Sequence, residues 1–374
     1  MIIFGHMKNK PLYLDYAATT PVDARVLEAM LPYFTDKFGN AASTTHIHGE
    51  EAKKAVDRAS TDISDLINAY PDEIIYTSGA TEAINTALKG LYWSHSLTRS
   101  HIITVKTEHK AVLDTCRWLE EIGSEVTYLN VDHQGLIDWE EYASALKLNP
   151  LVVCIMHANN ETGVIQEIGK IAQLAKESGA YFMTDATQSF GKMDIDVVKQ
   201  NIDLLCFSAH KIYGPKGIGG LYIKRNIKLT PLIHGGGHQR NYRSGTLNVP
   251  GIVGLGEASK IAKKEMREDA KKLQKLRDQL EHQLIADNMA RVNGSLTQRL
   301  PNISNFEIIN CSADEFLLRN KNLLSASTGS ACSSEVIQHS HVLAAMNIHS
   351  PAVRLSFGKA TETAFALQLA FQRI

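Results

Sequence analysis

The strongest constraint on this chain is the recurrence of short apolar runs between helix-patterned stretches. EIIYTS (73–78) leads into GATEAINTALKGLYW, and HIITVKT (101–107) into a stretch containing AVLDTCRWLEEIG. EVTYLNV (125–131) and LVVCIMHA (151–158) come next, then IGKIAQLAKESG, ending at Gly179. AYFMTDA (180–186), DLLCFSA (203–209) and GGLYIK (219–224) close the series. Runs apolar at nearly every position, rather than at every second one, belong to strands buried on both faces. The pattern predicts an α/β fold: a mostly parallel sheet with helices on either side. From about residue 252 the pattern changes. GLGEASKIAKKEMREDAKKLQKLRDQLEHQLIAD predicts one long connecting helix, and NISNFEII, AVRLSF and a terminal helix predict a second α/β unit. The expected division is a large domain over 15–255 and a smaller C-terminal domain over 256–374, with residues 1–14 packing against the latter.

Composition excludes several function classes. With 39 Lys+Arg against 40 Asp+Glu, the chain has no electrostatic bias toward nucleic acid or a membrane surface. No apolar run approaches the roughly 20 residues that span a bilayer, and MIIFGHMKNK is too short and weakly apolar for a signal peptide. The five cysteines, at 116, 154, 206, 311 and 332, are odd in number and far apart. They make neither a disulfide framework nor a metal-ligand set, and they suit a reducing cytoplasm.

In such a sheet, ligands bind at the C-terminal ends of the strands, so the loops there carry the chemistry. SGATEA (78–83) opens a helix with a small, glycine-containing turn; it is either a phosphate site or a helix start capped by Thr81. TDATQSFGK (184–192) puts Asp185 at a strand end and Gln188 three residues on. Asp185 is either a helix cap or a buried carboxylate facing a cation such as a protonated pyridine nitrogen. FSAHKIYGPKGIGG (207–220) places Ser208, His210 and Lys211 after a strand. A desolvated lysine amine is depressed in pKa and forms Schiff bases; an exposed loop lysine is the alternative, and Lys216 fits it. The glycines that follow would let the backbone approach a flat ring. His109, in TEHKAV, is either structural or an acid–base group stacked on a ring. HANNETG offers Asn159 and Asn160 as neutral donors. GGGHQRNYRSGTLN (235–248), with two arginines and Thr246, is an anion loop or a surface loop. Arg354 holds a carboxylate or a surface ion pair. SASTGSACSS (325–334) sets Cys332 alone among small residues.

The combination resembles the cysteine desulfurases of the NifS/IscS type, pyridoxal 5'-phosphate (PLP) enzymes of fold type I in the class V aminotransferase group. YLDYAATTP, GNAASTTHIHG, TSGATEA, TEHKAV, NNETGVIQ, DATQSFGK, SAHKIYGPKGIGGLY, RSGTLN and the SxGSACSS stretch carry it, in this order, across residues 12–360. The resemblance implies that Lys211 holds PLP, Asp185 pairs with its ring nitrogen, Gln188 bonds the ring oxygen and His109 stacks on the ring. It further implies that Ala80, Thr81, Ser208 and His210 hold the phosphate, with Thr246 coming from the neighbouring subunit of a homodimer. Asn160 sits beside ring and substrate, Asn159 is a second donor there, and Arg354 takes the substrate carboxylate. Cys332 is the implied nucleophile: it would take sulfur from L-cysteine as a persulfide, release alanine and pass the sulfur to a protein acceptor.

Ala41, Asn241–Tyr242 and Lys359 depart from the family's usual proline, glycine and arginine, and the chain stops at Ile374, short of the tail that housekeeping members use for docking. These departures leave the acceptor open between an iron–sulfur scaffold, a tRNA-thiolation enzyme and a DNA phosphorothioation system. Two rival classes remain at this stage: a selenocysteine lyase or another class V activity, and a non-enzymatic scaffold of the same fold. Intact Lys211, Asp185, His109 and Cys332 argue against the scaffold.

Overall fold

The computed structural model describes residues 11–95, 98–328 and 339–362. Its strands are β1 (Leu12–Tyr13), β2 (Ile74–Thr77), β3 (Ile102–Val105), β4 (Val126–Leu129), β5 (Val152–Cys154), β6 (Tyr181–Asp185), β7 (Leu204–Ser208), β8 (Gly219–Ile223), β9 (Ala290–Val292), β10 (Ile303–Ile308), β11 (Leu324–Ser325) and β12 (Val353–Ser356). Seven form one sheet in the order β2-β8-β7-β6-β5-β3-β4. Neighbours run parallel except β8, which is antiparallel to both β2 and β7. This is the α/β fold with a mostly parallel sheet that the apolar runs predict, and each quoted run contains one of these strands.

Consecutive residues on these strands enter different cores, as a pleated strand requires. Ile103, Val153 and Leu205 pack on one face with Ile63, Phe182 and Ile252. Ile102, Val152 and Leu204 pack on the other with Leu88, Leu91 and Leu119. Burial on both faces explains the unbroken apolar runs.

The connecting helix spans Val249–Ala286, starting five residues earlier than the sequence pattern indicates. Asn248 caps it by accepting the Gly251 N–H at 3.2 Å, and Pro250 sits in the first turn, where its missing N–H has no consequence. Its first half buries Ile252, Leu255, Ala258 and Met266 against the large sheet. Its second half buries Leu273, Leu280 and Leu284 with Phe306, Phe316 and Leu355 around the antiparallel sheet β12-β10-β9. β1 pairs in parallel with β11, so the beginning of the described chain joins this second core. The terminal helix expected after residue 362 lies outside the described residues.

The glycine run after Lys211 acts only in part as expected. A Cβ at Gly219 would lie 2.5 Å from the Phe207 carbonyl oxygen and 2.7 Å from Gly79 Cα. At Gly220 it would lie 2.3 Å from the Phe207 ring. Gly219 and Gly220 let β8 lie against β7 and the Gly79 turn, whereas Gly217 lines a cleft with nothing within 4 Å of its would-be Cβ. Gly219→Ala is expected to cost about 1–3 kcal/mol through overpacking, read as a lower denaturant midpoint with unchanged slope.

Candidate active site

Strands β3, β5, β6 and β7 all point their C-terminal ends to one side of the sheet. There a cleft of about 610 Å³ is lined by Ala80, Thr81, His109, Asn160, Asp185, Gln188, Ser208, His210, Lys211 and Arg354, among others. Residues distant in sequence thus meet in one place.

At one end of the cleft the helix Ala80–His95 begins. The N–H groups of Ala80 and Thr81 have no hydrogen-bond partner among the described residues and open onto the cleft. A helix N-terminus of this kind favours an anion. Thr81 lies inside the first turn rather than capping it. Instead the Glu82 carboxylate reaches back to the Ser78 N–H at 2.8 Å and is itself held by Arg243 at 2.8 Å. Arg243 therefore braces the turn and is not a free anion ligand. His210 lies beside Thr19, ring Nδ1 to hydroxyl 3.1 Å. Burial, followed by the charges of Lys211, Lys216 and Lys192, pushes its pKa down to about 4.

At the other end Asp185 is 5% exposed. Its Oδ1 accepts the Thr187 N–H at 2.8 Å in a turn, not at a helix start, and the residue lines the cleft. Lys211 Nζ donates to the carbonyls of Ala17 and Ala18 at 2.6 and 2.7 Å. Gln188 Nε2 donates to the same Ala17 carbonyl at 2.9 Å. His109 caps the helix Lys110–Glu121: its Nδ1 accepts the Ala111 N–H at 3.1 Å. An N–H can only donate, so in the neutral ring the proton sits on Nε2.

Glu108, which sequence reasoning passed over, is fully buried beneath this site. Its Oε1 accepts the Met156 N–H at 2.5 Å. Burial, then the nearby negative charge of Asp185, raises its pKa well above the ordinary range. The only signal in sequence is its place beside His109 in TEHK.

Arg354, 2% exposed, donates to Asp15 at 2.7 Å and to the Asn160 carbonyl at 3.0 Å. The ion pair is buried rather than superficial, and Arg354 still lines the cleft. Asn159 does not. It is 4% exposed, its Nδ2 donates to the Thr107 carbonyl at 2.9 Å, and its Oδ1 accepts from Glu161 and Thr162. The expectation that it meets substrate is corrected: its amide organises the loop that presents Asn160. Thr246 is exposed and does not line its own chain's cleft. Cys332 lies outside the described residues. Cys116, Cys154 and Cys206 are buried, with thiols pushed up by that burial. Among the described residues no cluster of His, Cys, Asp and Glu could hold a metal, and no helix is long and apolar enough to cross a membrane.

Residues 12–364 match the family described as aminotransferase class-V. The chain belongs to that family. Enzymes of this family depend on PLP, and the class-V cleft fits that cofactor: free N–H groups for a phosphate, a buried carboxylate for a ring nitrogen, and an amine between them. A similar curated protein is the cysteine desulfurase IscS of Neisseria meningitidis, 47% identical over 97% of this chain and 92% of that protein. Among solved structures, a NifS-like protein matches with TM-score 0.89 at 36% identity, covering 97% of this chain and 98% of its own. SspA in complex with cysteine matches with TM-score 0.82 at 38% identity, covering 92% and 98%.

Behind the class-V cleft, His157 is buried, and burial lowers its pKa from 6.5 to about 4. Unfolded, the ring takes a proton near pH 6.5; folded, only near pH 4. Its contribution is complete above the unfolded value and declines as pH falls through this window, because unfolding there takes up a proton. The melting temperature is expected to fall between pH 7 and pH 4, and His157→Gln to flatten that fall.

Proposed function

We propose that the protein is a cysteine desulfurase that moves sulfur from L-cysteine onto Cys332. The observation that carries this reading lies at the two ends of the segment containing that cysteine. On one side Ser327 pairs backbone to backbone with Arg354, at 2.7 and 3.3 Å. On the other, Ser340 donates to the buried Glu161 carboxylate at 2.5 Å, and His341 Nε2 meets the Glu108 carbonyl at 2.9 Å. Arg354 lines the cleft, Glu161 follows Asn160, and Glu108 precedes His109. The chain on either side of Cys332 is thus held at the cleft rim.

Bound in this cleft through Lys211, PLP would supply the electron sink that makes an amino acid's α-proton removable. The N–H groups of Ala80 and Thr81, with Ser208 and His210, would hold the phosphate, and Thr246 of the partner subunit would join them in a homodimer. Asp185 would pair with the ring nitrogen, and Gln188 would donate to the ring oxygen. Arg354 orients the substrate carboxylate beside Asn160. Displaced by the substrate's amine, the Lys211 amine would be free to move the α-proton. His109 delivers or accepts protons through Nε2, the nitrogen not occupied by its helix. The Cys332 thiolate bonds to the substrate sulfur as the carbon–sulfur bond breaks; the carbon gains a proton and alanine leaves.

The buried, high-pKa thiols of Cys116, Cys154 and Cys206 do not compete for this role. The reading also includes a large domain over 15–255 and a small one over 256–374; two separate cores support the division, though the large one extends along the helix to Met266. It places the enzyme in the cytoplasm, delivering sulfur to a protein acceptor.

The test is an absorbance spectrum with and without L-cysteine, with alanine assayed alongside. Wild type is expected to be yellow, to shift on cysteine and to form alanine. Lys211→Ala should lose the colour and at least a hundredfold in rate. Cys332→Ala should keep the colour and the shift but form no alanine. Equal alanine from wild type and Cys332→Ala would reject the desulfurase reading in favour of another class-V activity.

A further inference from the structure

One residue behind the cleft, in the wall of the cavity that also touches Lys211, has no part in the chemistry above. Lys192 closes the stretch DATQSFGK, four residues after Gln188, and its Nζ lies 3.1 Å from Gln188 Oε1. An ammonium donates and never accepts. While Lys192 carries its proton the Gln188 oxygen has to face it, which turns the Nε2 donor toward the Ala17 carbonyl at 2.9 Å. Lys211 Nζ meets that carbonyl at 2.6 Å. Lys192, Gln188, Ala17 and Lys211 thus form one chain of hydrogen bonds. A flipped Gln188 amide would set its NH₂ group against the ammonium and break that chain at both ends.

We propose that Lys192 is a positioning residue that locks the Gln188 amide with its donor toward the cleft and, through its charge, favours the unprotonated nitrogen of Lys211. The proposal rests on the reading that the cleft takes PLP. Several charged or titratable groups face Lys192. Lys211 and Arg354 lie on the cleft side, both positive. Tyr16, Tyr213, Asp269 and Lys359 border the cavity behind it. Asp194, Arg267, Arg277, Asp278 and Arg299 border its outer flank. Burial, followed by the charges of Lys211 and Arg354, pushes the Lys192 amine down to about 7. Repulsion between two amines is mutual, so a proton on Lys192 opposes one on the Lys211 nitrogen.

The experiment titrates the cofactor absorbance of PLP-loaded wild type, Lys192→Met, Lys192→Gln and Lys192→Arg against pH, and measures PLP release from each. Removing the charge should raise the midpoint of the colour change by about half to one pH unit in the Met and Gln variants, with faster PLP release. Arg keeps the donor and stays charged throughout the titration, so its midpoint should lie at or below that of wild type. The kcat for cysteine should fall in Met and Gln with KM little changed. Lys192→Gln keeps a polar group in place, so it carries the test if Lys192→Met does not fold. A wild-type midpoint in the folded Gln variant overturns the proposal. Wild-type protein that never colours with PLP overturns the cofactor reading instead, which separates the two failures.

Discussion

The site depends on the contact that the strap Asp15–Thr20 makes with everything around it. Asp15 holds Arg354 at 2.7 Å, and the Ala17 N–H donates to Ser356 Oγ at 2.8 Å, which ties the strap to β12. Thr20 donates through both its N–H and its hydroxyl to the His210 carbonyl, at 2.9 and 3.0 Å. Between these anchors the carbonyls of Ala17 and Ala18 receive Lys211. A single short segment therefore joins the antiparallel sheet to the turn that carries the reactive amine. Gly358 belongs to the same junction: a Cβ there would lie 2.3 Å from the Tyr16 ring, so at this point the ring needs bare backbone beneath it.

Much of this was legible in the sequence, because the cost of burial leaves a trace in composition. A strand covered on both faces has to be apolar throughout, and the quoted runs contain every strand of the large sheet. Asp185 and Lys211 stood out because a charge at the end of such a run needs a partner. The helix Ile47–Ile67 left a weaker trace. It buries Ala52, Ala55, Ala59, Ser60 and Ser64, small residues that fit a close approach to the connecting helix but blur the apolar period. Gly256 meets Ala59 there, at 2.6 Å from its would-be Cβ.

The site errors share one cause: sequence gives a residue's neighbours along the chain but not the direction of its side chain. Asn159 and Asn160 are adjacent and chemically identical, yet one amide turns inward to hold Thr107, Glu161 and Thr162 while the other residue lines the cleft. Glu108 and His109 are the same case reversed, with the carboxylate turned down into a dry floor and the ring turned up. The glycines of KGIGG were read as room for a ligand because no strand pairing was in view; β8 against β7 accounts for Gly219 and Gly220. Arg243 was open between an anion and a surface, and its actual partner, Glu82, lies 161 residues away.

The connecting helix has a mechanical consequence. Its 38 residues, at about 1.5 Å each, make a rod on the order of 57 Å long. One half is keyed into the large sheet's core and the other into the second core, with no break between them. A rod clamped along half its length transmits torque and allows little slack, so tilting the antiparallel sheet means flexing the rod rather than turning at a joint. Arg354 rides on that sheet, while Lys211 is set against the other end of the lever. The spacing between Arg354 and Lys211 is thereby held twice, by the short strap and by the bending stiffness of one helix.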